Sequence, residues 1–106
     1  MDYGTLKSLA VCLRRSLVDS GCPVDGVILF GSYATNTARI DSDIDLAILS
    51  RAFGKDRFQE GVLVNRHAFR AHPLIEAIPL PLHDYLTPSS ISPIVASIQK
   101  NGVFLL

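Results

Sequence analysis

Two aspartates, Asp43 and Asp45, stand two positions apart at the start of an apolar run that ends at Leu49. Side chains at positions i and i+2 of a β-strand point to the same face, so we expect the two carboxylates to lie side by side. Two such charges about 6.5 Å apart repel each other by roughly 2–3 kcal/mol at an effective dielectric constant near 20. A hard divalent cation such as Mg²⁺ prefers oxygen ligands and relieves that repulsion. The pair therefore predicts a metal site on a strand.

A glycine and a serine, Gly31 and Ser32, follow the apolar run 27–30. Glycine lets the backbone turn sharply and approach another group closely. Ser32 is suited to cap a short helix, which we predict from Tyr33 to about Thr37. The N-terminus of such a helix offers backbone N–H groups to a phosphate. A phosphate beside carboxylate-held metal ions indicates phosphoryl or nucleotidyl transfer, in which two metal ions stabilise the attacking and the leaving oxygen.

The pattern of Gly-Ser, ten further residues and Asp-x-Asp resembles the nucleotidyltransferase superfamily related to DNA polymerase β. It is most similar to the minimal nucleotidyltransferases, which are small single-domain bacterial and archaeal proteins. The residues that fit the family pattern are Gly31, Ser32, Tyr33, Ala34, Thr37, Ala38, Arg39, Asp41, Ser42, Asp43, Ile44, Asp45 and Leu46. Three positions depart from it: Thr35 replaces a common basic residue, Asn36 a glycine and Ile40 a proline. Asn36 tolerates the left-handed conformation, so we expect the turn to survive.

The resemblance implies a fold and a set of site residues. The fold is an α/β (α+β) domain, the polymerase β-like palm, with a mixed central sheet flanked by helices over residues 1–106. The implied nucleotide-binding residues are Gly31, Ser32, Tyr33 and Arg39. The implied catalytic and metal-binding residues, for two Mg²⁺ ions, are Asp43, Asp45 and Glu76.

Glu76 enters this set only through the resemblance. It lies in the run Ile75-Glu76-Ala77-Ile78-Pro79, which is similar to the family branch that places a glutamate on the strand after Asp-x-Asp. The resemblance implies that Glu76 is a third metal ligand and the base for the acceptor hydroxyl. From its position alone, an exposed acid on a strand face is an equally good interpretation.

The resemblance also implies an activity and partners. The activity is Mg²⁺-dependent transfer of a nucleoside monophosphate, AMP from ATP, to a hydroxyl on a partner protein. In small relatives that partner is an all-helical HEPN toxin, and the nucleotidyltransferase is its antitoxin; a homodimer is also compatible. The alternative is a binding module with a weak or inactive site that neutralises its partner by masking it. A small-molecule modifier is a third reading, although this chain leaves little room for an acceptor pocket.

Composition excludes several classes of protein. The 106 residues suffice for one domain with one core, and 48% of them are apolar. Ten basic and ten acidic residues give no net charge, which argues against a general nucleic-acid-binding surface. Two cysteines without metal-ligand spacing indicate reduced thiols in a cytoplasmic protein. The first twenty residues contain no long apolar run, so we expect neither a signal peptide nor a membrane span.

Hydrophobic periodicity predicts the N-terminal and central elements. A helix capped by Thr5 is expected to reach about Ser20, with its buried face formed by Leu6, Leu9, Ala10, Leu13 and Leu17. A second helix is predicted from Asp56 to Arg70, or a short strand at 62–64 in its place. Its apolar face is formed by Phe58, Val62 and Phe69. Lys55 and Arg57, just before or within it, are candidates to reach a triphosphate.

The C-terminal part is predicted to add a strand and a helix. The strand runs from Leu74 to Ile78 and is closed by the two prolines at 79 and 81. A helical turn at 84–86 and a loop at 87–90 follow. The last helix has Ser92 as its cap and ends at Gly102, with Ile94, Val95 and Ile98 facing inward. The tail 103–106 either adds a strand to the sheet or packs on a partner.

Overall fold

A four-stranded mixed sheet forms the centre of the computed structural model, which describes residues 1–87 and 92–106. Along the chain the elements are α1 (Tyr3–Asp19), β1 (Gly26–Phe30), one 3₁₀ turn (Gly31–Tyr33), β2 (Ile44–Ser50), α2 (Arg57–Ala71), β3 (Ile75–Pro81), α3 (Leu82–Leu86), α4 (Pro93–Asn101) and β4 (Val103–Phe104). The strand order is β3-β2-β1-β4. β1 is antiparallel to β2 and β4, whereas β2 and β3 are parallel. The predicted α/β fold with a mixed sheet is confirmed, and the last three residues of the predicted loop 87–90 lie outside the described residues.

α1 covers the first face of the sheet. Its buried residues are Leu6, Ala10, Leu13 and Leu17, as the periodicity predicts. The helix begins earlier than expected because Asp2, not Thr5, is the cap. The Asp2 carboxylate accepts the backbone N–H of Thr5 at 2.7 Å, which satisfies one of the free donors of the first turn.

The two faces of the sheet have separate cores. The first face presents alternate β2 residues, Ile44, Leu46 and Ile48, to α1 and α2. The second face presents Ala47 and Leu49 to α3 and α4, with Ile98 of α4 buried against them. Asp45 belongs to the second face by the same alternation. The end of the second face that carries Asp45 is therefore the part where a polar site can lie.

α2 packs with the opposite side to the predicted one. Its buried residues are Val64, His67 and Ala68, while Phe58 is 76% exposed and Phe69 is 68% exposed. The short strand considered for 62–64 is absent, since these residues are helical. The prediction of the buried face was wrong because it followed the largest side chains. Val64 and Ala68, on the other side, are the residues that join the first core.

β3 continues through both prolines that were expected to end it. Ala77 donates its N–H to Oδ1 of Asn65 at 2.9 Å and accepts from Nδ2 of Asn65 at 2.7 Å, so both groups point away from β2. Residues 79 and 81 share that outward direction because backbone groups alternate along a strand. A proline loses no ladder hydrogen bond there, and β3 is an edge strand. The prolines and Asn65 together close this edge against pairing with another chain.

The last helix and the tail agree with the sequence except at one residue. Ser92 is the cap of α4 and Pro93 lies in its first turn. β4 pairs with β1, so the tail adds a strand to the sheet. Ile98 is buried as predicted, but Ile94 is 54% exposed and does not face inward.

Two further features are the state of the cysteines and the apolar length of the helices. Cys12 is exposed, Cys22 is buried, and both are free. Of the helices in the described parts of the chain, none combines the length and the apolar composition needed to cross a bilayer.

Two glycines offer a matched test of this packing. A Cβ added at Gly102 would collide with the Ile98 carbonyl and Cγ2 of Ile28, whereas one at Gly61 meets no atom within 4 Å. We expect Gly102→Ala to lower the free energy of unfolding by about 1–3 kcal/mol through overpacking. Gly61→Ala, in the interior of α2, should raise it by about 0.5–1 kcal/mol. Urea denaturation measures both, and equal effects of the two substitutions would contradict the packing described here.

A serine and a histidine join α1 to α2. Ser16 Oγ lies 2.5 Å from Nδ1 of His67, which accepts the hydroxyl proton when the ring is neutral. Burial lowers the pKa of His67, and the nearby charges of Arg70 and Arg66 lower it further. A protonated ring could not accept this hydrogen bond.

The shift predicts a loss of stability in mild acid. Because the folded-state pKa of His67 lies below its ordinary value of 6.5, the unfolded chain takes up the proton first as the pH falls. The contribution of His67 to the free energy of unfolding is complete above that value and decreases as the pH falls towards the folded-state pKa. His67→Gln should remove this part of the pH dependence. An unchanged pH profile of unfolding in the variant would contradict the assignment.

Candidate functional site

Three strands bring one row of residues together on the second face. Asp45 pairs with Phe30 of β1 on one side and with Glu76 of β3 on the other. Asp43 precedes the first residue of β2 and lies two positions from Asp45. The structure thus places Glu76 beside the Asp-x-Asp pair, at the position that the resemblance implies.

Gly31 follows β1 directly above Asp45. Its φ of +71° is left-handed, which favours glycine. A Cβ built on Gly31 would collide with Oδ2 of Asp45 and lie 3.2 Å from its Cβ. The backbone of the turn and the Asp45 carboxylate are therefore in close contact, and no larger residue fits between them.

The helix predicted after Gly31 is only one 3₁₀ turn. Ser32 lies inside that turn and does not cap it, and Phe30 is the cap without a side-chain hydrogen bond. The chain then folds back, with Asn36 in the left-handed region at φ 63°, as expected for this residue. The N–H of Thr37 donates to the carbonyl of Ser32 at 2.9 Å, so a continuous helix cannot form.

The three carboxylates interact electrostatically. Burial raises the pKa of Asp45 above its ordinary value, and the charges of Glu76 and Asp43 raise it further. Asp43 and Glu76 are exposed. The two salt bridges within the described residues join Arg51 to Asp25 and Arg57 to Asp84, so neither relieves this repulsion.

The donor set suits a hard cation, although the side chains do not yet converge on one point. Carboxylate oxygens are the ligands that Mg²⁺ prefers. Within the described residues, no three acidic, histidine or cysteine side chains are arranged as a ready metal site. Asp45 is held by its contact with Gly31, whereas Asp43 and Glu76 are exposed side chains that a cation could draw in.

The remaining predicted site residues differ in what they can offer. The Tyr33 ring packs against the first core, which leaves its backbone for a ligand. Arg39 is exposed, and its N–H donates to Oγ of Ser42 at 2.7 Å. Lys55 and Arg57 follow the C-terminal end of β2, at the opposite end from Asp43. Neither therefore lies beside the carboxylates.

Asn65 is a positioning residue that sequence reasoning missed. Its amide binds both backbone groups of Ala77, next to Glu76, and so anchors the strand that carries this acid. The residues are 12 positions apart. Local pattern alone gives no signal for such a contact.

The model of the nucleotidyltransferase domain family matches residues 12–104. The chain belongs to this family. A search of curated proteins finds no match.

Solved structures with the same fold include nucleotidyltransferases and toxin–antitoxin complexes. A toxin–antitoxin structure with AMP-PNP gives a TM-score of 0.60 at 21% identity, over 100% of this chain and 73% of the other. A protein of Sulfolobus solfataricus assigned as a nucleotidyltransferase gives 0.64 at 17% identity, over 96% and 77%. A mutant of the toxin–antitoxin MntA–HpeT gives 0.59 at 20% identity, over 100% and 73%. At these identities the likeness establishes the fold of the nucleotidyltransferase domain.

The raised pKa of Asp45 predicts that its charge costs stability. Because the folded-state pKa lies above the ordinary 3.8, the folded protein takes up the proton first as the pH falls. The contribution of Asp45 to the free energy of unfolding is therefore least favourable at neutral pH and improves as the pH falls through that window. We expect Asp45→Asn to be more stable than the wild type at pH 7, with the difference shrinking in acid.

Thermal unfolding with and without Mg²⁺ measures this effect. The melting temperature of the wild type should rise with Mg²⁺, and that of Asp45→Asn should not. Asp19→Asn, at the exposed end of α1, is the matched control and should behave as the wild type. An Asp45→Asn protein that is less stable at neutral pH would refute the electrostatic account.

Proposed function

We propose that this nucleotidyltransferase domain transfers AMP from ATP to a hydroxyl of a partner protein, and that the partner is a HEPN toxin for which it is the antitoxin. The register of β2 and β3 carries the proposal, because it sets Asp45 beside Glu76 and beneath the backbone of Gly31. That arrangement joins carboxylates to a turn that a phosphate can approach. Metal-assisted transfer at a phosphorus atom uses the same combination.

The turn after β1 holds the triphosphate in this proposal. The first N–H groups of a helical turn have no partner within the turn, and they point towards an approaching anion. These N–H groups and the Ser32 hydroxyl bind the β- and γ-phosphates. Arg39 adds a positive charge from the loop that leads to Asp43, and Tyr33 contributes only its backbone.

Asp43, Asp45 and Glu76 would hold two Mg²⁺ ions, which when bound supply charge stabilisation to the attacking and leaving oxygens. Glu76 accepts the proton of the acceptor hydroxyl, because it is exposed and lies on edge strand β3, which β2 separates from β1 and the phosphate-binding turn. The hydroxyl oxygen then forms a bond to the α-phosphorus. The bond from that phosphorus to the bridging oxygen breaks, and pyrophosphate leaves.

The nature of the partner is supported by the structural neighbours. Two of the similar structures are toxin–antitoxin complexes, and one contains AMP-PNP, an ATP analogue. Both cysteines are free, which fits a protein of the reducing cytoplasm. The toxin–antitoxin neighbours support a protein acceptor rather than a small molecule.

A second candidate is neutralisation of the partner by masking alone. It is favoured by Thr35, which stands in the turn after β1 where the family pattern commonly has a basic residue, so that the turn has one positive charge fewer for a triphosphate. In this case the carboxylates are remnants, and binding rather than transfer inhibits the partner.

Labelled nucleotide separates the two candidates. We expect incubation with α-labelled ATP, Mg²⁺ and a HEPN protein encoded beside this chain to put label on the HEPN protein. Asp43→Asn and Asp45→Asn should each lower the rate by about 10²-fold or more, since each removes a group that stabilises charge in the transition state. Asp19→Asn should retain the wild-type rate.

Glu76→Gln tests the base separately. It should lower the rate of transfer more than it weakens the binding of ATP and Mg²⁺, which isothermal titration measures. If the wild type and all variants neutralise the partner equally and no label is transferred, masking is the function and transfer is not.

A further inference from the structure

The outer side of α2 carries an apolar stripe. Two rows of residues spaced by four run along it, so that neighbours in a row lie one turn apart. One row is Phe58, Val62, Arg66 and Arg70, and the other is Gly61, Asn65 and Phe69. Phe58 is 76% exposed and Phe69 is 68% exposed. Two phenylalanines on one exposed helix face are unusual for a surface that meets only water.

The charged side chains within this stripe are both arginines. Arg66 and Arg70 are exposed and form no ion pair within the described residues. The acids at the start of α2 are used by the backbone: Asp56 accepts the N–H of Gln59, and Glu60 accepts that of Gly54 at 2.9 Å. Arg57 is paired with Asp84 at 2.9 Å. The C-terminal half of the stripe therefore carries two positive charges that have no ion-pair partner within the described residues.

A depression of about 410 Å³ opens beside Phe58 and is lined also by Gly61, Val62 and Asn65. Because Gly61 has no side chain and nothing lies within 4 Å of its Cβ direction, this part of the helix can receive a side chain from outside. At the same level, Asn65 binds Ala77, the neighbour of Glu76. The stripe therefore borders the outer edge of β3, the strand that carries Glu76.

We propose that the stripe formed by Phe58, Gly61, Val62, Arg66, Phe69 and Arg70 docks a partner protein through an apolar helix edged by carboxylates. Charge complementarity selects this occupant, because Arg66 and Arg70 are exposed and have no ion-pair partner within the described residues, so carboxylates beside the partner's apolar face would pair with them. The proposal names the surface for the partner of the proposed function and rests on it for that partner's existence. It does not depend on transfer, since docking needs no nucleotide.

Two designed helical peptides test the chemistry of the stripe directly. Each covers the 15 residues of α2, about 22 Å in length, with the same leucine face. One carries glutamates and the other lysines beside that face. Fluorescence anisotropy should show binding of the glutamate peptide only, weakening as salt screens the charges.

Substitutions on the stripe should abolish this binding without unfolding the domain. Phe69→Asp, and Gly61→Leu, which fills the depression, should each lower the affinity for the glutamate peptide by at least about tenfold. Val18→Asp on α1 is the matched control, since Val18 is also exposed, at 49%, and lies off the stripe. The double variant Arg66→Glu with Arg70→Glu should prefer the lysine peptide. Circular dichroism confirms that each variant is folded.

The remaining outcomes count against the proposal. Binding of both peptides or of neither, or binding that Phe69→Asp leaves unchanged, would overturn it. Sedimentation showing a wild-type dimer that Phe69→Asp dissolves would assign the stripe to a second copy instead. Asp45→Asn should bind the glutamate peptide normally, so a failure of transfer and a failure of docking give different results.

Discussion

The parallel pairing of β2 with β3 is the constraint on which the site depends. Asp45 and Glu76 are neighbours only in the observed register, because a slip of one residue would move Glu76 to the opposite face. Parallel strands need a long crossover, and α2 provides it. Ile75 and Ala77 bury their side chains on the first face and so oppose a slip. The Asn65 amide adds a second restraint from α2 to the same part of β3. The helix that connects the two strands therefore also fixes how they meet.

The second face of the sheet divides into a packed half and an open half. α3 and α4 bury Ala47, Leu49 and Leu80, whereas the row of Asp45 and Glu76 lies past the covered part. The raised pKa of Asp45 and the repulsion among the three carboxylates are tolerated there, because charges cost less free energy beside solvent than in a core. Gly31 keeps the backbone close to Asp45 without a side chain between them. The fold thus places its least favourable charges where a cation and a phosphate can reach them.

Local features of the sequence were sufficient to predict the strands, the position of Asp-x-Asp at the start of a strand and the left-handed conformation of Asn36, because each follows from a few adjacent residues. The limits of α4 belong to the same class, since Ser92 and Gly102 act on neighbouring backbone groups. Contacts between distant segments were not predictable in this way. The buried side of α2 depends on how closely Val64 and Ala68 approach the sheet. β3 can continue through Pro79 because it is an edge strand. The helix after Gly31 ends early because the chain reverses its direction there. The convergence of Glu76 with Asp45 required the resemblance, because position alone did not distinguish it from a solvated acid.

Folding and partner recognition make separate demands on α2. The helix holds the sheet with small and medium residues on one side, and a tight fit there leaves no room for Phe58 or Phe69. Exposing both rings has a solvation cost that the isolated domain does not recover. The neighbouring arginines place charge beside the apolar surface, which limits the hazard of exposing it. One helix therefore serves two interfaces, and substitutions on its outer side can change recognition while the inner side continues to hold β3 and Glu76 in place.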